Sequence, residues 1–194
     1  MKLVFATHNE NKVKEVKSLL PKNFKILSLN DIGCFDEIPE TSQTIEGNAQ
    51  LKVAYVKTNF GLDCFADDTG LEVPALNNEP GVYSARYAGP NKNASDNINK
   101  LLNNLQHITN RDACFKTVIA LALSSQKKLF TGICKGTIIS EKKGKLGFGY
   151  DPIFQPNGFQ ETFAEMSLEQ KSEIGHRGKA VRLLIDYLSK TYLI

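Results

Sequence analysis

The sequence contains no long apolar run, no strong excess of charge and no repeated or low-complexity segment. Its 24 basic and 21 acidic side chains leave a net charge of +3, a balance too even for a dedicated nucleic-acid binder. No stretch is long enough to span a bilayer, and the apolar start 1–6 is too short for a signal peptide. We therefore expect a cytoplasmic protein with no nucleic-acid and no membrane partner.

Paired cysteines are also missing, since the chain has neither a CxxC motif nor a histidine at metal-ligand spacing from a cysteine. The four cysteines are scattered among apolar neighbours, at Cys34, Cys64, Cys114 and Cys134. This pattern favours buried free thiols in a reducing compartment, with a structural disulfide as the alternative.

The 194 residues, 41% of them hydrophobic, are enough for one domain with a sizeable core, which we place at 1–194. Short apolar runs predict strands, and apolar residues at helical spacing predict helices. The predicted strands are 2–6, 62–66, 113–123 and 129–139, and helical stripes begin at Val13, at Ile45, at Ile98 with Ser95 as N-cap, and at Val181. This order of elements predicts a mixed α/β domain that binds its ligand in loops at the strand ends.

Two polar clusters follow predicted strands. The residues Thr7, His8, Asn9, Glu10, Asn11 and Lys12 precede a helix, where they form either a phosphate cradle or a structural helix cap. Asp67 and Asp68 begin an acidic turn that ends at Gly70. Two adjacent carboxylates of this kind suit Mg²⁺, with Glu40 and Glu46 as further candidate ligands. The alternative is an Asx turn in which Gly70 has a positive φ.

Two further clusters lie near the carboxyl end. In the loop of Phe148, Gly149, Tyr150 and Asp151 a ring could stack on a base, or Tyr150 could instead belong to the core. Lys171 and the pair His176 and Arg177 are either ligand-binding residues or part of a solvated basic face, and His176 could equally be a buried, hydrogen-bonded histidine.

Together these clusters resemble the Ham1-like inosine triphosphate pyrophosphatase family, which includes bacterial dITP/XTP pyrophosphatases. Two departures from its pattern are Gly175, where serine is usual, and Gly47, where an acidic residue is commoner. The resemblance covers nearly the whole chain and rests on the segments 7–12, 39–41, 46–52, 66–71, 80–86, 148–152 and 176–180.

The resemblance implies an elongated mixed β-sheet with flanking helices, forming two lobes around a central nucleotide cleft. It implies hydrolysis of ITP, dITP or XTP to the monophosphate and pyrophosphate. Asp68 would accept a proton and, with Glu40, bind Mg²⁺, while Asp67 is a candidate helper. The residues implied to contact the triphosphate are 7–12 and Lys171, and those implied to contact the base are 148–151, His176 and Arg177. Thr69 would contact the substrate through its hydroxyl or N–H. A homodimer is also implied, with 80–86 as a candidate contact.

Two other functions compete with this one. A Maf-type pyrophosphatase would prefer pyrimidine triphosphates, although the pair His176 and Arg177 matches the purine family better. A non-catalytic nucleotide- or RNA-binding module would lack metal carboxylates, whereas Glu40, Asp67 and Asp68 are present.

Overall fold

The computed structural model describes residues 2–21, 24–124 and 126–192. Within them the chain forms both strands and helices, as a mixed α/β fold requires. The strands are β1 (Lys2–Phe5), β2 (Lys25–Leu27), β3 (Cys64–Val73), β4 (Glu79–Gly81), β5 (Asp112–Ala122), β6 (Lys127–Ile138) and β7 (Phe154–Pro156). The helices are α1 (Glu10–Leu19), α2 (Ile45–Phe60), α3 (Ala94–Asn104), α4 (Leu168–Ile174) and α5 (His176–Tyr192).

The strands form one mixed sheet in the order β2-β1-β3-β5-β6-β7, with β4 paired to β3. Strand β1 is parallel to both β2 and β3, whereas the pairs β3–β4 and β6–β7 are antiparallel. The predicted α/β class with a mixed sheet is therefore confirmed.

Most helix ends follow from local chemistry. The carboxamide of Asn9 caps α1, and the Thr44 side chain caps α2, which ends at Gly61 with a positive φ of 67°. Helix α3 is capped by Asn93, so the prediction of Ser95 is wrong by two residues. The short helix α4 was not predicted, although Ser167 and Gln170 form a capping box at its start.

The chain divides into two compact units, each with its own apolar core. The first unit comprises 1–68, 117–132 and 176–194, and its core includes Phe5, Phe65, Ile119 and Val181. The second comprises 69–116 and 133–175, and its core includes Leu101, Phe115, Phe154 and Phe163. Strands β3, β5 and β6 each contribute residues to both units.

The acidic segment from Asp67 to Gly70 was predicted to be a turn, but it forms the middle of strand β3. Gly70 is not among the glycines with positive φ, so the Asx-turn interpretation is wrong as well. Successive side chains of a strand point to opposite faces, and β3 follows this rule. Phe65 packs with Val16 of α1 and Val181 of α5, whereas the Cys64 thiol donates to a carbonyl of α2. Asp67 therefore faces α1 and α5, and Asp68 faces α2.

The four cysteines are free thiols, as predicted, with Cys114 half-buried and the other three buried. Burial raises the pKa of the Cys64 thiol to about 12, which keeps it protonated and unreactive at neutral pH. Among the described residues, no helix is long and apolar enough to cross a membrane.

Candidate active site

Asp67 is fully buried and lies between two cations of the first unit. Its Oδ1 is 3.1 Å from Lys12 Nζ, and its Oδ2 accepts a 3.0 Å hydrogen bond from Arg177 Nε. Burial alone would raise the pKa of Asp67, but the charges of Lys12, Arg177 and Lys52 lower it well below the usual range. The lowered pKa makes Asp67 a weak base and therefore a poor proton acceptor.

Arg177 extends this ion pair into a buried network. It lies in the first turn of α5, is 3% exposed, and also donates from Nη1 to the Glu15 carboxylate of α1. One guanidinium thus ties two helices to strand β3, in a setting where a lost partner would leave a buried charge without compensation.

Asp68 has a different environment on the opposite face of β3. Its Oδ1 accepts from Lys52 Nζ at 3.1 Å, and the same ammonium lies 2.6 Å from Glu40 Oε1 and 2.9 Å from the Asp67 carbonyl oxygen. Burial raises the pKa of Asp68, and the Glu40 carboxylate adds to this although Lys52 and Lys12 oppose it. Of the two adjacent carboxylates, Asp68 is thus the better suited to accept a proton.

The carboxylates of Glu40 and Asp68 are the predicted ligands of Mg²⁺. Glu40 and Asp68 converge on one ammonium, so both reach a single cationic centre. In the part of the chain that the structure describes, no three His, Cys, Asp or Glu side chains are grouped to hold a metal ion. Mg²⁺ is commonly bound by one or two carboxylates together with water and substrate phosphates. The two side chains fit such a shared ion, but not one held by protein ligands alone.

The amino-terminal cluster forms the turn between β1 and α1. The Asn9 carboxamide accepts from the backbone N–H groups of Asn11 and Lys12, and Thr7 Oγ1 accepts from Asn9 N. His8 Nε2 lies 3.1 Å from the carbonyl oxygen of Asp36, and Glu10 is exposed. The structural helix cap is therefore confirmed, and phosphate binding by 7–12 stays a prediction.

Two predicted groups belong to the second unit. Tyr150 is buried and donates from its hydroxyl to the Ser84 carbonyl, so its placement in the core is confirmed. Asp151 is buried and paired with Lys171 at 2.5 Å, and Lys171 Nζ lies 4.8 Å from the centre of the Phe148 ring. Thr69, on β3, is half-buried, as are Phe148 and Gly149.

The interpretation of the last cluster as a solvated basic face is wrong for three of its members. Lys171, His176 and Arg177 are at most 5% exposed, while Lys179 is exposed. Burying a charged group costs free energy unless the charge is paired, and Lys171 and Arg177 are both paired with carboxylates.

The two departures from the family pattern have steric explanations. A Cβ at Gly47 would lie 2.0 Å from Ser42 Oγ, because the loop before α2 packs directly on that helix. A Cβ at Gly175 would lie 2.5 Å from the Lys171 carbonyl oxygen, which accepts the Gly175 N–H at 2.8 Å. This hydrogen bond fixes the backbone at Gly175.

Lys52 and Glu15 were absent from the predicted site, although they contact its central residues. A signal for Lys52 was available, since it shares the buried stripe of α2 with Ala49, Val53 and Val56. A lysine inside an apolar stripe needs buried acidic partners. Glu15 had a weaker signal, lying three residues after Lys12 on the side of α1 that carries Val16.

A family model described as the Ham1 family matches residues 3–187. The chain belongs to the Ham1 family. This Ham1 chain is 62% identical over 191 residues to a dITP/XTP pyrophosphatase of Flavobacterium johnsoniae, which covers 98% of the chain and 100% of that relative. It is 51% identical over 188 residues to the dITP/XTP pyrophosphatase of Porphyromonas gingivalis, covering 96% of the chain and 97% of that relative.

Solved Ham1 structures confirm the fold. The Staphylococcus aureus Ham1 protein is 40% identical with a TM-score of 0.89, covering 98% of this chain and 99% of that one. A HAM1 protein from Coxiella burnetii is 36% identical with a TM-score of 0.91, covering 98% and 100%. The resemblance found from the sequence motifs is therefore confirmed.

Proposed function

We propose that this chain hydrolyses the non-standard purine triphosphates ITP, dITP and XTP to the monophosphate and pyrophosphate. The names of its Ham1 relatives support this reaction. The observation that carries the proposal is the asymmetry of Asp67 and Asp68, because only Asp68 combines a raised pKa with a second carboxylate beside it.

In this proposal Asp68 accepts the proton of the water that attacks the α-phosphorus. Lys52 holds Asp68 and Glu40 in place through its two ion pairs. Glu40 and Asp68 would bind Mg²⁺, which supplies neutralisation of the phosphate charge. Asp67 orients Lys12, whose side chain is 13% exposed and is our candidate for contacting the triphosphate with Thr7 and Asn9.

For the base we propose His176, with Phe148 as the stacking ring. The guanidinium of Arg177 is paired with Asp67 and Glu15, and the hydroxyl of Tyr150 donates to the Ser84 carbonyl. We therefore do not assign these two groups to the base. A donor at the 6-carbonyl separates hypoxanthine and xanthine from adenine, which carries an amino group there.

A substrate panel tests this function. We expect pyrophosphate release from ITP and XTP to exceed release from ATP by up to ~10⁴-fold, because mismatched buried donors stay unpaired, and to exceed GTP by less. UTP should be poor, which separates this chain from a Maf-type enzyme. Parallel assays in excess EDTA should show no turnover. Full activity without a divalent cation would contradict the magnesium mechanism, and preference for UTP would contradict the purine assignment.

Replacing Lys52 by methionine tests the proposed positioning of Glu40 and Asp68. We expect turnover at saturating Mg²⁺ to fall by about 10–100-fold, as is typical when the support of a metal ligand is lost. The Mg²⁺ concentration for half-maximal activity should not rise, because two carboxylates without their lysine attract a cation more strongly. Rates at several Mg²⁺ concentrations measure both quantities.

The matched control is Lys57→Met on the same helix, since Lys57 pairs at 3.0 Å with the more exposed Asp63. That variant should keep the wild-type rate. Full recovery of Lys52→Met by added Mg²⁺ would show that Lys52 acts on metal affinity alone.

A cytoplasmic homodimer is also part of the proposal. The candidate contact 80–86 presents Tyr83, which is 52% exposed with Arg86 stacked over its ring at 5.3 Å. An exposed aromatic with an arginine is typical of interface cores. Sedimentation of the wild type and of Tyr83→Ser measures the association, and a wild-type monomer at assay concentration would contradict it.

A further inference from the structure

The segment from Gly147 to Asp151 closes around a single carboxylate oxygen. Asp151 Oδ2 accepts from the Phe148 backbone N–H at 2.7 Å and from Lys171 Nζ at 2.5 Å. Gly147 has a φ of 71°, and a Cβ there would lie 2.1 Å from the same oxygen. The backbone can pass this close to the carboxylate only with glycine at this position. Asp151 therefore fixes the path of the chain on both sides of Phe148.

The Lys171 ammonium contacts the Phe148 ring of this loop as well as the Asp151 carboxylate. It lies 4.8 Å from the Phe148 ring centre and 5.5 Å from that of Phe163, both within the range of cation–π attraction. The side chains of Lys171 and Asp151 are 6% and 3% exposed. Water therefore screens these interactions only weakly.

The backbone position of Lys171 is set by its own helix. Ser167 and Gln170 cap the start of α4, and the Lys171 N–H donates to the Ser167 carbonyl at 3.0 Å. At the other end, Gly175 N donates to the Lys171 carbonyl at 2.8 Å. Helix α4 thus fixes the backbone of Lys171, from which the ammonium reaches Asp151 and the Phe148 ring.

We propose that Asp151 and Lys171 are positioning residues that hold the Phe148 ring in the orientation that stacks on the base of the substrate. The stacking role of Phe148 rests on the proposed function. The inference replaces two roles implied by the family resemblance, namely Lys171 as a contact of the triphosphate and Asp151 as a contact of the base. Both side chains act through Phe148.

The placement of the ring can be measured without substrate, because the sequence contains no tryptophan. Phe148→Trp introduces a single fluorescent reporter at the ring position. Adding Lys171→Met should shift its emission to longer wavelength and increase quenching by acrylamide at least twofold, because the indole loses its cationic support. Lys171→Arg should restore most of the change, since guanidinium also stacks on rings. The matched control is Lys179→Met, an exposed lysine of α5.

Lys171→Met leaves the buried Asp151 without its cation, so thermal unfolding is recorded for each variant. If that variant does not fold, the double variant Asp151→Asn with Lys171→Met makes the same test with no unpaired charge. An unchanged tryptophan spectrum in the folded variant would overturn the proposal.

Product inhibition of ITP hydrolysis separates base placement from phosphate binding. In Lys171→Met we expect the inhibition constant of IMP to rise about tenfold, the value of one weakened base stack, and that of pyrophosphate to change less than twofold. The reverse pattern would show that Lys171 binds phosphates and would overturn the inference. A wild type without ITP hydrolysis would contradict the proposed function, whereas the fluorescence comparison decides the ring placement by itself.

Discussion

Replacing Asp68 by asparagine is expected to lower pyrophosphate release from ITP by ~10²–10⁴-fold, the usual cost of losing a general base. The amide cannot accept a proton, and it is a weaker Mg²⁺ ligand than a carboxylate. The fold should persist, because asparagine has nearly the same shape and Lys52 keeps its 2.6 Å ion pair with Glu40. Initial rates at saturating Mg²⁺, with a thermal unfolding curve of each protein, measure the effect.

Asp63→Asn is the matched control, since Asp63 precedes β3, is half-buried and pairs with Lys57. It should leave the rate unchanged. An Asp68→Asn enzyme with half of the wild-type rate would show that another group accepts the proton.

Removal of Arg177 is expected to have the largest effect on stability. Arg177→Met leaves the carboxylates of Asp67 and Glu15 buried without their shared cation, which typically costs about 3–5 kcal/mol. For a chain of this length that loss lowers the melting temperature by roughly 6–20 °C. Chemical denaturation and calorimetry of wild type and variant measure both values.

Two variants control this experiment. Lys179→Met removes an exposed cation of the same helix and should change stability by less than about 1 kcal/mol. Adding Glu15→Gln to Arg177→Met removes one stranded charge and should recover part of the loss. If Arg177→Met were as stable as the wild type while ITP selectivity over ATP collapsed, Arg177 would serve the base and not the fold.

The pH dependence of this network has a definite sign. Asp67 has a lowered pKa in the folded protein, so its ion pairs contribute stability at a pH above the unfolded value of about 3.9. The contribution is lost as the pH falls from there through the folded pKa.

Much of the fold could be predicted because its signals are local. The apolar run 2–6, the stripe of α2 and its terminal Gly61 each indicate one element without reference to the rest of the chain. The segment 67–70 was predicted wrongly because Asp, Thr and Gly favour turns in isolation. Here tertiary structure overrides that preference, since β3 lies between β1 and β5 and the Asp67 and Asp68 charges have cationic partners.

The candidate site could likewise be predicted only in part. Motif order in the sequence identified the carboxylates and the ring-bearing loop, because these lie in contiguous segments. Lys52 has a local signal in the apolar stripe of α2, but which groups Lys52 and Glu15 pair with could not be assigned, because an ion pair between elements depends on how each helix is turned against the sheet. The pairing of Lys171 with Asp151 could not be predicted for the same reason, since it joins residues 20 positions apart.

Strand β3 separates two adjacent aspartates by placing them on opposite faces of the sheet. A substitution at one position can therefore alter the fold or the chemistry while sparing the other. An insertion or deletion of a single residue in the strand before Asp68 would instead move every later side chain of the strand to the other face of the sheet. Asp68 would then face Arg177 and would no longer lie beside Glu40. We expect homologous chains to vary in length within the loops that flank β3 and to keep a constant residue count from Cys64 to Asp68.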